Sequence, residues 1–305
     1  VGFRVFDPAS WLEVTSGAPY RFTDVAIDPA GRTVVAAGPN GLVTWPVHES
    51  NGAVEIGPPI ATDDSLRGWN VDISPDGRFA ATLTEGVDTT LKIWNITART
   101  IAASVPVLAN GVTPKFSSNG RWIAVGNWNG DGNVQIIDTT TWKPCKTLVT
   151  TLSTIAQFSP DSQSLLTSDT REIAVWQTRD WTKIATTPIT LQGYLASSHD
   201  SQMVAVMPIG GGVRLLDAHT LQQLVVLEAP DGSQPRCAAF SPDGHLLMVS
   251  TADSHRIQKW NLALIRSKLR EMNLDWDAPP ISKYPAKAES HMQIQLHSGV
   301  SVNPR

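Results

Sequence analysis

One short turn segment recurs along the chain, and its spacing restricts the fold more than any other feature. It reads Ile27-Asp28-Pro29-Ala30-Gly31-Arg32, Ile73-Ser74-Pro75-Asp76-Gly77-Arg78, Phe116-Ser117-Ser118-Asn119-Gly120-Arg121, Phe158-Ser159-Pro160-Asp161-Ser162-Gln163 and Phe240-Ser241-Pro242-Asp243-Gly244-His245, with a degenerate copy at Ser197-Ser198-His199-Asp200-Ser201-Gln202. The Gly or Ser of each copy falls at positions 31, 77, 120, 162, 201 and 244, which are 46, 43, 42, 39 and 43 residues apart. A fixed period of this length marks a repeat architecture. In each copy Pro presets a negative φ, Asp or Asn bonds its own backbone, and Gly accepts a positive φ, so the flanking strands fold into a hairpin.

After every tip comes an alternating apolar stretch that often ends in Asp or Asn: Leu91-Lys92-Ile93-Trp94-Asn95, Val134-Gln135-Ile136-Ile137-Asp138, Ile173-Ala174-Val175-Trp176-Gln177, Val213-Arg214-Leu215-Leu216-Asp217 and Ile257-Gln258-Lys259-Trp260-Asn261. Gly41-Leu42-Val43-Thr44-Trp45 is a weaker version, and Phe3-Arg4-Val5-Phe6-Asp7 has the same form. Period-2 alternation of this kind reads as strand. Seven such ends stand against six tips, and 305 residues divided by about 43 also gives seven.

These segments resemble degenerate WD40 repeats over residues 2 to 262. The family's Gly-His dipeptide is missing, and its Trp-Asp pair is spelled Trp-Asn, Ile-Asp, Leu-Asp or Trp-Gln. The resemblance implies an all-β fold: a seven-bladed WD40-like β-propeller over residues 1–262 whose last blade is closed by both termini. A short helix at 263–276 packs on it, with Leu262, Ile265, Leu269 and Met272 on one face and Arg266, Lys268, Arg270 and Glu271 on the other. Residues 277–305 form an extended tail in which Met292-Gln293-Ile294-Gln295-Leu296 is a closing strand. More narrowly, the chain is similar to bacterial multi-repeat WD proteins, some of which are fused to serine/threonine protein kinases. No kinase signature occurs in the chain itself.

Composition removes several functions. With 24 Lys and Arg against 28 Asp and Glu, net charge -4, there is no cationic field for nucleic acid. No apolar run has the length of about 20 residues that spans a bilayer, so no membrane insertion of this segment is expected. The compartment stays open: cytoplasm is the expectation, and the extracytoplasmic side if a membrane kinase is attached. Cys145 and Cys237 supply neither a disulfide framework nor a zinc site. Asn127-Trp128-Asn129-Gly130-Asp131-Gly132 imitates a calcium loop but joins strands and is read as a turn. Gly210-Gly211-Gly212 lacks the Lys and helix of a phosphate cradle, and Asp253-Ser254-His255 are adjacent residues that cannot form a relay.

The remaining candidates belong to recognition. In WD40 propellers the connections before innermost strands and between second and third strands reach one narrow face, where partners usually bind. The matching segments contain Arg21, Trp69, Glu85, Asp88, Trp128, Asp131, Arg171, Tyr194, Arg236 and His255, a mixture suited to hot spots. The expectation is a monomeric, non-catalytic scaffold for a protein or peptide, with no catalytic residue, metal or cofactor. One alternative is the sensory region of a transmembrane serine/threonine kinase. Another is a propeller hydrolase or lactonase with a channel metal, for which the inner-strand starts Asp24, Asn70, Pro114, Ile155, Leu195 and Cys237 offer one acid.

Overall fold

In the computed structural model each tip joins the first two strands of a sheet. It describes residues 4–6, 13–16, 22–39, 41–50, 53–62, 68–84, 89–108, 110–128, 132–190, 192–252, 256–276 and 293–296. A hairpin of β1 (Arg4–Phe6) and β2 (Glu13–Ser16) comes first. Blade one holds β3 (Asp24–Ile27), β4 (Thr33–Gly38) and β5 (Gly41–Ser50), whose outer edge takes β6 (Ala53–Ile56) and β7 (Ile60–Ala61). Blade two is β8 (Val71–Ile73), β9 (Phe79–Leu83), β10 (Thr90–Asn95) and β11 (Thr100–Pro106). Blade three is β12 (Gly111–Phe116), β13 (Trp122–Asn127), β14 (Val134–Asp138) and β15 (Lys143–Leu148). Blade four is β16 (Ile155–Phe158), β17 (Ser164–Ser168), β18 (Glu172–Gln177) and β19 (Lys183–Pro188). Blade five is β20 (Gly193–Ser197), β21 (Met203–Pro208), β22 (Val213–Asp217) and β23 (Gln223–Leu227). Blade six has three strands, β24 (Pro235–Phe240), β25 (Leu246–Thr251) and β26 (Ile257–Asn261), followed by α1 (Leu262–Glu271). The last strand, β27 (Gln293–Leu296), runs parallel to β6, and β2 lies beside it.

The propeller therefore has six blades, and the expectation of seven is corrected. Six tips build six sheets. The seventh strand-end signal, Phe3 to Asp7, contributes β1 to the hairpin β1–β2, for which no tip-bearing pair is found among the described residues. At the other end Asn261 changes the outcome of blade six. In blades two, three and five the Asn or Asp at this position caps a turn: Asn95 accepts from the Ala98 amide at 2.8 Å, Asp138 from Thr140 at 2.8 Å and Asp217 from Thr220 at 2.7 Å. Asn261 instead accepts from Leu264 at 2.9 Å as the N-cap of α1, and the chain leaves the sheet.

The apolar core lies between blades, because alternate residues of each strand face opposite neighbours. On β13, Ile123 and Val125 pack toward blade two while Ala124 packs toward blade four. Five such layers join successive blades, and a sixth cluster fills the rim of blade one under β6. In blades three and four the turn before the outer strand adds an aromatic plug. Trp142 and Trp181, both at positive φ, meet Phe79 and Trp122 of the preceding blade edge to face at 5.4 and 5.7 Å. The helix buries Leu262 but exposes Met272, and Arg266, read as solvent-facing, is buried in a bidentate pair with Asp275 beneath Trp276.

Five of the six tips are held by a serine hydroxyl, buried in blades two to five and half-buried in blade six. Ser159 Oγ donates to Asp161 at 2.5 Å and accepts the Ser164 amide at 2.9 Å, and Ser74, Ser117, Ser198 and Ser241 repeat the pattern. Blade one uses Asp28, which accepts from the Arg32 and Thr33 amides. The fifth residue of the motif touches the preceding blade. Gly77 and Gly120 stand at positive φ against Asp28 and Pro75, where an added Cβ would come within 3.2 and 3.3 Å. Ser162 and Ser201 instead accept the Asn119 and Asp161 amides of the preceding tips at 2.9 and 3.1 Å.

Burial pushes the Asp76 and Asp243 carboxyls up, but the serine hydroxyl and the amide two residues on outweigh it and hold both below the usual carboxylate range. Both are depressed in the folded state. Their stabilisation is complete above the unfolded value of about 4 and is lost as pH falls through the lower folded values. Asn119 makes the same two contacts without a charge, so Asp76→Asn/Asp243→Asn keeps the geometry. Thermal unfolding followed below about pH 4 is expected to fall less steeply for this variant than for the wild type. Ser159→Ala leaves the buried Ser164 amide without its acceptor and is expected to cost about 1–3 kcal/mol in denaturant unfolding. A loss no larger than that of an exposed Ser→Ala control would show that the tip hydroxyl is dispensable.

Candidate functional site

Two kinds of connection emerge on the face opposite the tips: those from an outer strand to the next inner strand, and those between second and third strands. Their apolar residues are not withdrawn. Trp69 is 58% exposed and Trp128 42%, and Leu108, Val149, Leu152 and Ile209 are also exposed. Among the described residues, Ile27 is the one large exposed apolar side chain that falls within a tip segment. The backbone beneath them is tied together. The Trp128 amide donates to Asn110 at 2.8 Å, Asn127 and Thr154 exchange amide bonds at 3.0 and 2.7 Å, and the Thr113 amide donates to Asn70, next to Trp69, at 3.3 Å. Asp169, buried, accepts from the Arg171, Glu172 and Thr151 amides at 2.7, 2.8 and 3.0 Å. Burial opposes its ionisation, but these amides prevail and hold its carboxyl below the usual range.

Of the residues marked in the sequence, Trp69, Trp128 and Arg171 share this face, and all three are exposed. Tyr194 turns inward and packs against the layer between blades five and six. Arg236 is exposed on β24 at a register shift between Pro235 and Cys237. Arg21, Glu85, Asp88, Asp131 and His255 lie outside the described residues. Leu108, Val149, Leu152 and Ile209 escaped the sequence reading. Their signal was an apolar side chain inside a connection, which is indistinguishable from strand until the strands are placed.

The ring axis holds a charged site that the inner-strand starts did not show. A register shift between Val112 and Lys115 displaces Pro114 and brings Lys115 Nζ to 3.7 Å from Asp72 on the neighbouring inner strand. The other Asp72 oxygen accepts the Phe116 amide at 2.7 Å, and Asp24 accepts the Val71 amide at 3.1 Å. Acids on one inner strand thus satisfy edge amides of the next. Lys115 and Asp72 keep 31% and 21% of their side-chain surface. Desolvation raises the Asp72 pKa, because it outweighs the Lys115 charge, while Asp72 in turn raises that of Lys115. Among the described residues no three His, Cys, Asp or Glu side chains gather as a metal site would need.

Known proteins match this geometry in three ways. A family model described as the cytochrome D1 heme domain matches residues 69–190, and one described as the WD domain, G-beta repeat matches residues 221–261. No curated protein matches the chain. Among solved structures, hydrazine synthase of Kuenenia stuttgartiensis aligns with a TM-score of 0.68 at 15% identity, over 82% of this chain and 79% of that one. That likeness is one of fold. The repeat match and the ring of sheets make the chain a WD40-like β-propeller, and none of these matches carries the finer resemblance to kinase-associated proteins. They also correct the expectation of a propeller without catalysis. What the chain resembles includes a haem domain and an enzyme, so the fold is no argument against chemistry.

Haem itself does not fit the matched segment. Residues 69–190 contain no His, Met or Tyr and a single Cys, Cys145. Cys145 lies on the outer strand β15 with its thiol directed to the Ile136 carbonyl at 3.4 Å, and burial pushes that thiol up, away from the thiolate an iron takes. The described histidines His48, His199, His219 and His245 fall outside the matched residues. Hemin titrated into the purified protein is expected to give no Soret band of axially ligated haem. A ligated spectrum that disappears in Cys145→Ala would overturn this.

Proposed function

We propose that this propeller is a recognition module that binds a protein or peptide through the loop face centred on Trp69 and Trp128. The observation that carries the reading is the cluster of exposed apolar side chains on blades two to four, set on a backbone whose hydrogen bonds are already made. Large apolar residues displayed on a rigid frame lose little entropy on binding and supply hot-spot contacts. Arg171 adds a fork of donors at the edge of the same surface. The reading concerns the loop face and is independent of whatever chemistry the Asp72–Lys115 pair supports at the axis.

The test is Trp69→Ala/Trp128→Ala, compared with the wild type in partner capture and in thermal unfolding. Trp69 is 58% and Trp128 42% exposed, so unfolding is expected to change less than for a core variant, while capture falls about tenfold or more. Tyr194→Ala is the contrasting variant: packed against a core layer, it is expected to destabilise. Unchanged capture by the double variant would remove the loop face as the binding surface.

A further inference from the structure

Three positions recur where successive blades meet on the tip face: the first residue of one blade's second strand, the fifth motif residue of the next blade, and the residue four after that blade's strand-end acid or amide. Between blades two and three these are Phe79, Gly120 and Trp142. No other pair of successive blades combines a glycine with two aromatics at these positions. Between blades three and four they are Trp122, Ser162 and Trp181, and between four and five Ser164, Ser201 and Leu221.

The glycine leaves room that a serine fills elsewhere. Ser162 and Ser201 accept the Asn119 and Asp161 amides of the preceding tips on their hydroxyls. Gly120 has no hydroxyl to offer the Asp76 amide. A cleft of about 240 Å³ opens there, lined by the aromatic side chains Phe79, Phe116 and Trp142 and by the polar side chains Asp76, Asn119 and Thr139.

The polar groups around the cleft are only partly used. The Ser74 hydroxyl and the Arg78 amide both donate to Asp76 Oδ1, at 2.6 and 3.0 Å, which leaves Oδ2 to a further donor. Asn119 takes the Ser117 hydroxyl and the Arg121 amide on Oδ1, at 2.7 and 3.0 Å, and its Nδ2 has no acceptor among the described residues. The Trp142 indole N–H has none among them either. Charge is already balanced, because the Arg78 guanidinium, 5.3 Å from the centre of the Phe79 ring, acts on the Asp76 carboxylate.

These groups call for a neutral ligand that donates to Asp76, accepts from Asn119 and covers an aromatic surface. A hydroxyl both donates and accepts, and a sugar ring carries several around an apolar C–H face. The cleft is smaller than the range of about 300–1,000 Å³ that holds a drug-sized ligand, so one ring is the occupant. We propose that the cleft between the tips of blades two and three binds a single hexose unit, with its hydroxyls on Asp76 Oδ2 and Asn119 Nδ2 and its C–H face against the aromatic side chains. The site lies on the face opposite Trp69 and Trp128 and does not depend on what that face binds.

The test is an NMR titration of the full chain with the methyl glycosides of glucose, galactose and mannose, followed at the Trp142 indole N–H, which is assigned as the signal lost in Trp142→Phe. A saturable shift with at least one glycoside is expected, with a dissociation constant of about 1–10 mM for a ligand of this size. Gly120→Ser installs the residue that Ser162 and Ser201 already carry at positive φ, and it is expected to abolish the shift. Because Pro75 would lie 3.3 Å from the added Cβ, that variant risks misfolding, and Asn119→Asp is measured as well. Asp76, Asp161, Asp200 and Asp243 hold the same turn position, so the tip is kept while the Nδ2 donor is lost, and binding should weaken about three- to tenfold. No saturable shift with any of the glycosides, equal binding to folded Gly120→Ser, or unchanged affinity in Asn119→Asp would overturn the proposal. So would tighter binding of n-butylammonium than of the glycosides, which would make the cleft a cation site.

Discussion

A serine hydroxyl at five of the six hairpin tips, with Asp28 in its place in blade one, is the contact on which the ring depends. It is placed where the first and second strands would otherwise leave an amide and a carboxylate facing the interior. Ser159 joins Asp161 to the Ser164 amide, and the three bonds of its hydroxyl fix the turn within a single blade. Because these tips share one shape, in blades two to five the residue after the acid or amide meets the blade before. Gly fits where that blade offers a side chain, Asp28 or Pro75, and Ser fits where it offers an amide, Asn119 or Asp161.

From that repetition the packing follows. Strands set side by side by rigid turns present one set of alternate residues to each neighbour, so the core divides into thin layers between blades. A layer needs two walls. Val25 and Ile27 on blade one and Ile257 on blade six have the apolar character of wall residues yet stay exposed, and Lys259 replaces the aliphatic residue that four sibling blades bury. Within one chain the complete blades act as internal standards for the incomplete one.

The same logic separates the two functional surfaces. The loop face gathers side chains from connections that differ blade by blade, which is where binding residues are free to vary. The axis gathers side chains from the inner strands, and there Asp72 accepts an edge amide while pairing with Lys115. The segment matched by the haem-domain model does not suit haem, and the likeness to hydrazine synthase is one of fold alone.

Hairpin tips, strand ends and the propeller class were legible in the sequence, because local turn chemistry at Pro, Asp and Gly and period-2 alternation act within a few residues. Trp69, Trp128 and Arg171 were legible as loop residues for the same reason. The number of blades was not: a strand-end pattern at Phe3–Asp7 looks the same whether or not a partner pair exists to complete it. Nor was the inward turn of Tyr194, the burial of Arg266 with Asp275, or the Asp72–Lys115 pair. Each depends on what another blade or the chain beyond the helix places opposite, and opposition across a ring is a property of the closed tertiary structure, not of any stretch of sequence.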